Sequence, residues 1–481
     1  MKILPMHRLW IVLVLLAAAI VLRIILGTQV TNYNDKIESI DLDGAPYAKY
    51  VKVEPGASKF FTWGITASPR SKVIARESLD DDDRYGDTYT QAHKVMTTLT
   101  SDLDEVGLTL RDVVNVRAYV VGDAESPPDF DGWNRAFTEF FGTPDNPHKP
   151  ARTTVGISRL FISQYKIEVE FVAVFPDGRG PFLEGSRHWL DYERSGRAAE
   201  ETHPIWKSYG RSHFPMSTGK AVDSGQSLFF GSAVMGDTKF KMPPGMPVNP
   251  MMYGKVPDQA KSILSKTAAS LKAGDLSYRD VFFMRTIMYP EKGQAIGRNF
   301  GLFGREYSKH FNNSSNTNKP TRTVMSAPGY AELGPLMSLE MYGIVPEPES
   351  LFKEDAHIAA IGTSDAISSP AVAVSAEAST VWMSGVIAPG EELSLAEETK
   401  ACFEKLTERL AEAEATLDDL VHLRVYLEAT NTKRDTDAVK KALEDFFKAA
   451  ETTHRPALTV LPIVDLPGGA KVELEAMAGV K

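Results

Sequence analysis

The chain has a single cysteine, Cys402, among its 481 residues, so no internal disulfide can form and its redox compartment leaves no trace. Positive charge is also short. With 53 Lys and Arg against 63 Asp and Glu the formal net charge is −10, which argues against a nucleic-acid partner, since such binding draws most of its affinity from clustered cations. The ten histidines show neither HExxH nor paired metal-ligand spacing, and GxSxG, Walker and dinucleotide motifs are missing, so no metal or nucleotide cofactor is expected. The methionines at 235, 242, 246, 251 and 252 read as a flexible hydrophobic cover rather than a Cu(I) site, and Asp80–Asp83 as a solvated acidic loop without the spacing of a Ca²⁺ loop. Cys402 falls on a helix as a small core residue.

Long apolar runs are scarce as well, and the one of spanning length is at the start. Lys2, His7 and Arg8 precede Leu9–Leu22, which continues past Arg23 to Leu26, near the minimum that crosses a bilayer. The expectation is a signal anchor over 1–30, a single-pass transmembrane helix in the inner (plasma) membrane. The acidic residues that follow place the body in the periplasm or outside the cell. A cleaved signal peptide is the alternative.

What is present is a pattern written three times. Asp112, Asp280 and Asp419 each open an apolar run with an arginine five places on: Arg117, Arg285 and Arg424. A second arginine then enters another β-rich run: Arg152 in ARTTVGISRL, Arg322 in TRTVMSAPGY and Arg455 in HRPALTVLPI. Repetition at this period marks a whole domain rather than a solenoid repeat, giving similar units at 45–178, 206–347 and 365–481 and an intramolecular pseudo-trimer. In the first unit, Phe60–Thr66 alternates as a strand and Tyr89, Ala92, Val95, Met96, Leu99, Leu103 and Val106 share a helical face. Val113–Val121 is strand again, Trp133–Phe141 a second amphipathic helix ended by Gly142, and Thr153–Leu160 and Ile167–Phe175 are two closing strands. This is an α+β unit with helices on one sheet face. Arg117, Arg285 and Arg424 are expected to pair within or between units.

KPARTTVGISRL with YKIEVEFVAVF, and HRPALTVLPIVDLP with AKVELEAMAGV, resemble the C-terminal signature of the RidA/YjgF/YER057c/UK114 family, the reactive intermediate deaminases. The resemblance implies three chorismate-mutase-like domains around a central β-barrel with ligand clefts at their interfaces. It also implies hydrolysis of 2-imino or enamine acids to keto acids and ammonia, with no cofactor. Carried over residue by residue, it makes Arg152 and Arg455 carboxylate clamps and Glu168 and Glu473 water-positioning acids. Arg322, Asn134, Tyr50, Gly64, Ser384 and Gly385 become substrate-binding residues. The second unit departs most: Ser338 stands at the glutamate position, Gly304 at the asparagine position, and Gly231–Ser232 at the strand-end pair. In the third, Lys440 and Ala371 replace the asparagine and tyrosine. One site combining Arg152 and Glu168 with strand-end residues of another unit is expected. The competing reading is a non-catalytic carboxylate-binding or scaffold protein with a membrane-protein partner. RNA cleavage is opposed by the acidic charge.

Overall fold

The computed structural model describes residues 34–68, 84–123, 125–160, 164–184, 186–187, 193, 206–209, 219–239, 250–289, 296–328, 330, 334–353, 356–388, 393–428 and 432–481. The first unit runs β1 (Ile37–Asp41), β2 (Ala48–Val53), β3 (Lys59–Thr62), β4 (Ile65–Thr66), α1 (Thr88–Glu105), β5 (Val113–Val121), α2 (Phe130–Phe137), β6 (Ala151–Ile157), β7 (Ile167–Val174). The second repeats it: β8 (Trp206–Tyr209), β9 (Gly219–Val222), β10 (Ser227–Gly231), β11 (Val234–Met235), α3 (Val256–Lys272), β12 (Val281–Met288), α4 (Ile296–Tyr307), β13 (Thr321–Ser326), β14 (Met337–Val345). So does the third: β15 (Ile358–Ile361), β16 (Ala371–Val374), β17 (Ser379–Met383), β18 (Val386–Ile387), α5 (Leu395–Glu412), β19 (Leu420–Glu428), α6 (Thr432–Ala449), β20 (Ala457–Ile463), β21 (Val472–Val480).

Local signals set these elements. Asp87 caps α1 through the Thr90 N–H, and a Ser394–Glu397 capping box starts α5. The three aspartates that open the apolar runs do the same work at a smaller scale: Asp112, Asp280 and Asp419 close capping boxes with Thr109, Ser277 and Thr416 just before the central strand. Each unit buries its own helix face against its sheet, as Val95, Leu99, Trp133 and Phe137 do against Val116, Ala118 and Val169.

The strand pairing shows how the units are joined. In every unit β-strands pair in the order of β6-β5-β7-β3, and the edge left by β3 is covered by the N-terminal hairpin of another unit. β9 pairs β3, β16 pairs β10, and β2 pairs β17, so each unit lends a hairpin to one neighbour and receives one from the other. Hydrogen bonding runs through two sheets, of fourteen and seven strands, rather than around one closed barrel. Two further apolar clusters draw on all three units, one around Phe61, Phe230, Tyr342 and Trp382, the other around Tyr119, Tyr289, Tyr330 and Tyr426. These clusters fill the shared interior.

A ring of six buried charges also lies between the units. Arg117 pairs with Glu170 and Glu475, Arg285 with Glu170 and Glu340, and Arg424 with Glu340 and Glu475. Each arginine meets the glutamate across its own β-ladder and the glutamate of the next unit. Burial alone would raise Glu475, but Arg117 and Arg424 bring it down to about 2, and Arg424 and Arg285 likewise hold Glu340 low. Removing one member leaves an uncompensated charge in the interior, a change that costs about 3–5 kcal/mol in comparable pairs.

The expected membrane anchor needs correction. No helix among the described residues is long and apolar enough to cross a membrane, and 1–30 lies outside them. The transmembrane helix, the inner-membrane localisation and the periplasmic placement of the body are therefore withdrawn. Asp80–Asp83, Met242 and Met246 also lie outside the described residues, among which no group of three His, Cys, Asp or Glu could hold a metal.

Candidate functional site

Where the penultimate strand of one unit meets the strand end after β3, β10 or β17 of another, three seams form. Their residues correspond through register. Arg152 lies beside Val116 and Thr153 beside Arg117. In the second unit Arg322 and Thr323 take the same places beside Met284 and Arg285. In the third, Leu458 and Thr459 lie beside Leu423 and Arg424. Leu458, not Arg455, is thus the counterpart of Arg152 and Arg322.

The seam between units one and three holds the fullest set of groups. The hydroxyl of Ser384 accepts the Arg152 N–H at 2.7 Å and donates to the Ala48 carbonyl, while the Gly385 N–H donates to the Arg152 carbonyl at 3.1 Å. The Arg152 guanidinium is sandwiched by the rings of Tyr47, 4.3 Å away, and Phe137, 4.7 Å away. Burial, opposed by Tyr47 and Glu473, lowers it to about 10, so it is charged at neutral pH. Its Nη1 and the Oε2 of Glu473 are buried without a hydrogen-bond partner among the described residues. Burial and the charge of Glu475 raise Glu473 to about 8, against the pull of Arg152 and Arg409. Buried polar groups are rarely left so, and a guanidinium N–H beside a carboxyl of near-neutral pKa is a setting for a ligand. Lys49 and Glu412, 2.6 Å apart, clasp the seam from outside.

Between units two and one the arrangement is partial. The Arg322 cation rests against Phe300 and Tyr307, at 4.5 and 5.1 Å. The Glu168 carboxylate accepts weakly, at 3.4 Å, from Val324 N–H, two residues along the same strand. Burial and Glu170 raise Glu168 to about 8. Trp63, however, stands where the seam-forming serine should be.

Between units three and two the chemistry is gone. Leu458 N–H donates to the Ser232 hydroxyl at 2.7 Å and Ala233 N–H to the Leu458 carbonyl at 3.3 Å, repeating the backbone geometry without the guanidinium. The acid position is Ser338, hydrogen-bonded to Tyr289 at 2.7 Å. Arg455 lies before the strand, its Nε on the Ala366 carbonyl and its Nη1 on the carbonyls of Thr452 and His454. It braces its own loops.

A steric rule links two of these positions. A Cβ on Gly64 or Gly385 would run into the carboxylate of Glu168 or Glu473. β11 pairs Val234 with Leu339 and Met235 with Ser338, which puts Ala233 in the glycine place and Ser232 in the serine place. The expected reversed pair Gly231–Ser232 is one residue out of register. Where the glutamate has become Ser338, the facing glycine has become alanine.

The structure therefore divides the expected residues. Arg152, Ser384, Gly385 and Glu473 meet in one seam; Arg322, Gly64 and Glu168 belong to another, so Arg152 and Glu168 do not share a site. Ser384 and Gly385 spend their polar groups on the Arg152 backbone and position it. Asn134 is half-buried on α2, one turn from Phe137. Tyr50 packs into the third unit's core and donates to the Glu412 carbonyl at 2.9 Å; the tyrosine at the arginine is Tyr47. In APYAKY the two are three apart, an odd spacing that puts them on opposite faces of an extended chain, a signal that was available. Arg409 on α5, within 3.3 Å of the Ser384 carbonyl, had no sequence signal. Cys402 is buried, with burial pushing its thiol up to about 12.

The model of the Endoribonuclease L-PSP family matches residues 76–175 and 363–480, in units one and three. A RutC family protein of Pyrococcus abyssi is 31% identical over 128 residues, spanning 27% of this chain and 85% of the relative. The chain belongs to the RidA/YjgF family. A second RutC family protein, from Pyrococcus horikoshii, is 29% identical over 128 residues, covering 27% of this chain and 86% of its own. Among solved structures, Escherichia coli TdcF with bound serine is 20% identical with a TM-score of 0.19, covering 21% of this chain and 80% of that one. A YjgF/YER057c/UK114 family member of Mycobacterium tuberculosis is 25% identical with a TM-score of 0.18, covering 21% and 84%. Each relative corresponds to about one unit of this RidA-family chain.

Proposed function

We propose that this RidA-family protein binds small carboxylate-bearing molecules and hydrolyses 2-imino acids at a single seam, the one between units one and three. The reading rests on one observation: Arg152 and Glu473, from different units, are both buried in this seam within electrostatic reach of each other, each with a polar atom left without a partner among the described residues. A guanidinium fork grips a planar carboxylate through two charge-assisted hydrogen bonds, and that grip fixes the adjoining imine carbon beside the acid. In its ionised form Glu473 takes a proton from water as the oxygen adds to the C=N carbon. The acid so formed returns the proton to the nitrogen of the carbinolamine; as the C–N bond breaks, the hydroxyl proton passes to the Glu473 carboxylate and on to solvent, so a protonated imine leaves as a keto acid and ammonia. A pKa of about 8 suits both halves of that exchange. Tyr47 and Phe137 hold the guanidinium flat, and Ser384 fixes its backbone.

The test is ammonia release from enzymatically generated 2-iminopropionate by the full chain, with Arg152→Ala as control. A loss of about 10²-fold or more is expected, because misplacing a bound substrate by an ångström costs that much. Release no faster than from Arg152→Ala would favour the non-catalytic reading, in which the same seam only holds the carboxylate.

A further inference from the structure

The seam between units one and three contains a second cation that the other seams lack. Arg409 projects from α5 and donates from Nη1 to the carbonyls of Ser384 and Gly385, at 3.3 and 3.4 Å. Those are long bonds for a guanidinium, and they use one of its three nitrogens. The same dipeptide is held from its other side by Arg152, through the Ser384 hydroxyl and the Gly385 N–H. Two arginines from two units thus flank one strand end. Among the described residues Arg409 forms no ion pair. Glu412, one turn further along its helix, is engaged by Lys49.

The helices can be aligned on a shared anchor. Gln91 of α1 binds the Gly86 and Gln164 carbonyls and the Lys166 N–H; Gln259 of α3 binds the Gly254 and Gly334 carbonyls and the Leu336 N–H. Glu398 of α5 takes the matching place on the Lys471 and Val472 N–H groups. Counting eleven residues on from each anchor gives Asp102, Ser270 and Arg409. By that count Asp102 and Ser270 take the helix position of Arg409 in the units that supply the strand ends of the two–one and three–two seams. Among the described residues, the one–three seam alone carries two guanidinium groups by this count, and burial holds the Glu473 carboxyl up near 8, which weakens its charge against them.

Building on the proposed hydrolysis, we infer that this seam takes a substrate with two carboxylates, the α-carboxylate on Arg152 and a side-chain carboxylate on Arg409. The substrate class is the imine of an acidic amino acid, 2-iminosuccinate or 2-iminoglutarate. A mono-acid leaves Arg409 without a counter-charge in a half-buried site.

The experiment compares 2-iminoglutarate with 2-iminopropionate, each generated in place by an amino-acid oxidase, using the full chain and the variants Arg409→Ser and Arg409→Lys. Expected is a kcat/KM about tenfold or more higher for the diacid, since a site built to bind a charged group rejects the analogue lacking it. Arg409→Ser, which installs the residue of unit two, removes that preference by lowering kcat/KM for 2-iminoglutarate about tenfold more than for 2-iminopropionate, whereas Arg409→Lys keeps part of the preference. Equal rates for the two imines, or an equal loss on both in Arg409→Ser, would overturn the inference, since a merely structural Arg409 affects both alike. If neither imine is turned over, the hydrolytic reading has failed, and calorimetry with 2-oxoglutarate and pyruvate decides the remainder. Tighter 2-oxoglutarate binding that Arg409→Ser abolishes upholds the two-carboxylate site; equal affinities end it.

Discussion

Glu168 and Glu170 are two residues apart on one face of β7, both buried, and they are held in opposite states. Glu170 lies between Arg285 and Arg117, which overcome its burial and hold it low; Glu168 is raised to about 8 by burial and by Glu170, against only a lesser pull from Arg285. Glu475 and Glu473 repeat the contrast on β21, at about 2 and about 8. A buried carboxylate between two guanidiniums is a strut, while one left short of a counter-charge is poised to exchange protons or bind. The difference between the axial ring and the seams is the difference between architecture and chemistry in this protein. The ring survives in all three units, whereas the seams have drifted apart.

The largest expected effect breaks the ring. Glu340→Ala leaves three buried arginines facing two glutamates and should cost about 3–5 kcal/mol, read as a lowered midpoint in thermal or urea unfolding. Its stability contribution has a sign. Because the folded-state values of Glu340 and Glu475 are depressed, their support is present above the ordinary carboxylate range and is lost as pH falls toward 2. Next comes the comparison of seams: Arg152→Ala should lose about 10²-fold in kcat/KM, and Arg322→Ala, in a seam where Trp63 replaces the serine, less than about threefold. Similar losses in both would mean that two seams work.

A third effect concerns pH. If Glu473 must be ionised to activate water, kcat/KM rises with pH and levels off above about 8, and Glu473→Gln flattens that rise along with the rate. The stability sign runs the other way from the ring: a raised carboxyl favours the folded state below the ordinary Glu value and loses that support as pH climbs through about 8. Glu473→Gln should therefore gain on the parent in melting temperature between pH 6 and pH 9. The smallest effects test the glycine rule. Gly385→Ala pushes against the Glu473 carboxylate and should lower kcat/KM by about tenfold, while Ala233→Gly, facing Ser338, should change activity and stability by less than about twofold or 0.5–1 kcal/mol.

Much of the unit was legible in sequence. The periodicities gave β5, α1, α2 and the two closing strands to within a few residues, because each is a strong amphipathic or alternating pattern. The pairing role of Arg117, Arg285 and Arg424 followed from their recurrence. The exchanged hairpins were not legible, since β2 and β9 pair with strands of other units and no local pattern encodes that partner. Arg455 was misplaced by matching arginine to arginine; aligning Pro150–Ala151 with Pro456–Ala457 would have put Leu458 in register. Which arginine faces which glutamate depends on the direction of the ring, and Arg409 belongs to a helix whose counterparts carry Asp and Ser. Both required three dimensions.

The lent hairpins have one more outcome. Because β2 completes the sheet of unit three, β9 that of unit one and β16 that of unit two, melting any unit uncovers an edge on one neighbour and strips the partner from the hairpin lent by the other. Three bodies tied in this circular fashion should come apart in one step, so calorimetry of a chain this long ought to record one sharp endotherm instead of a staircase.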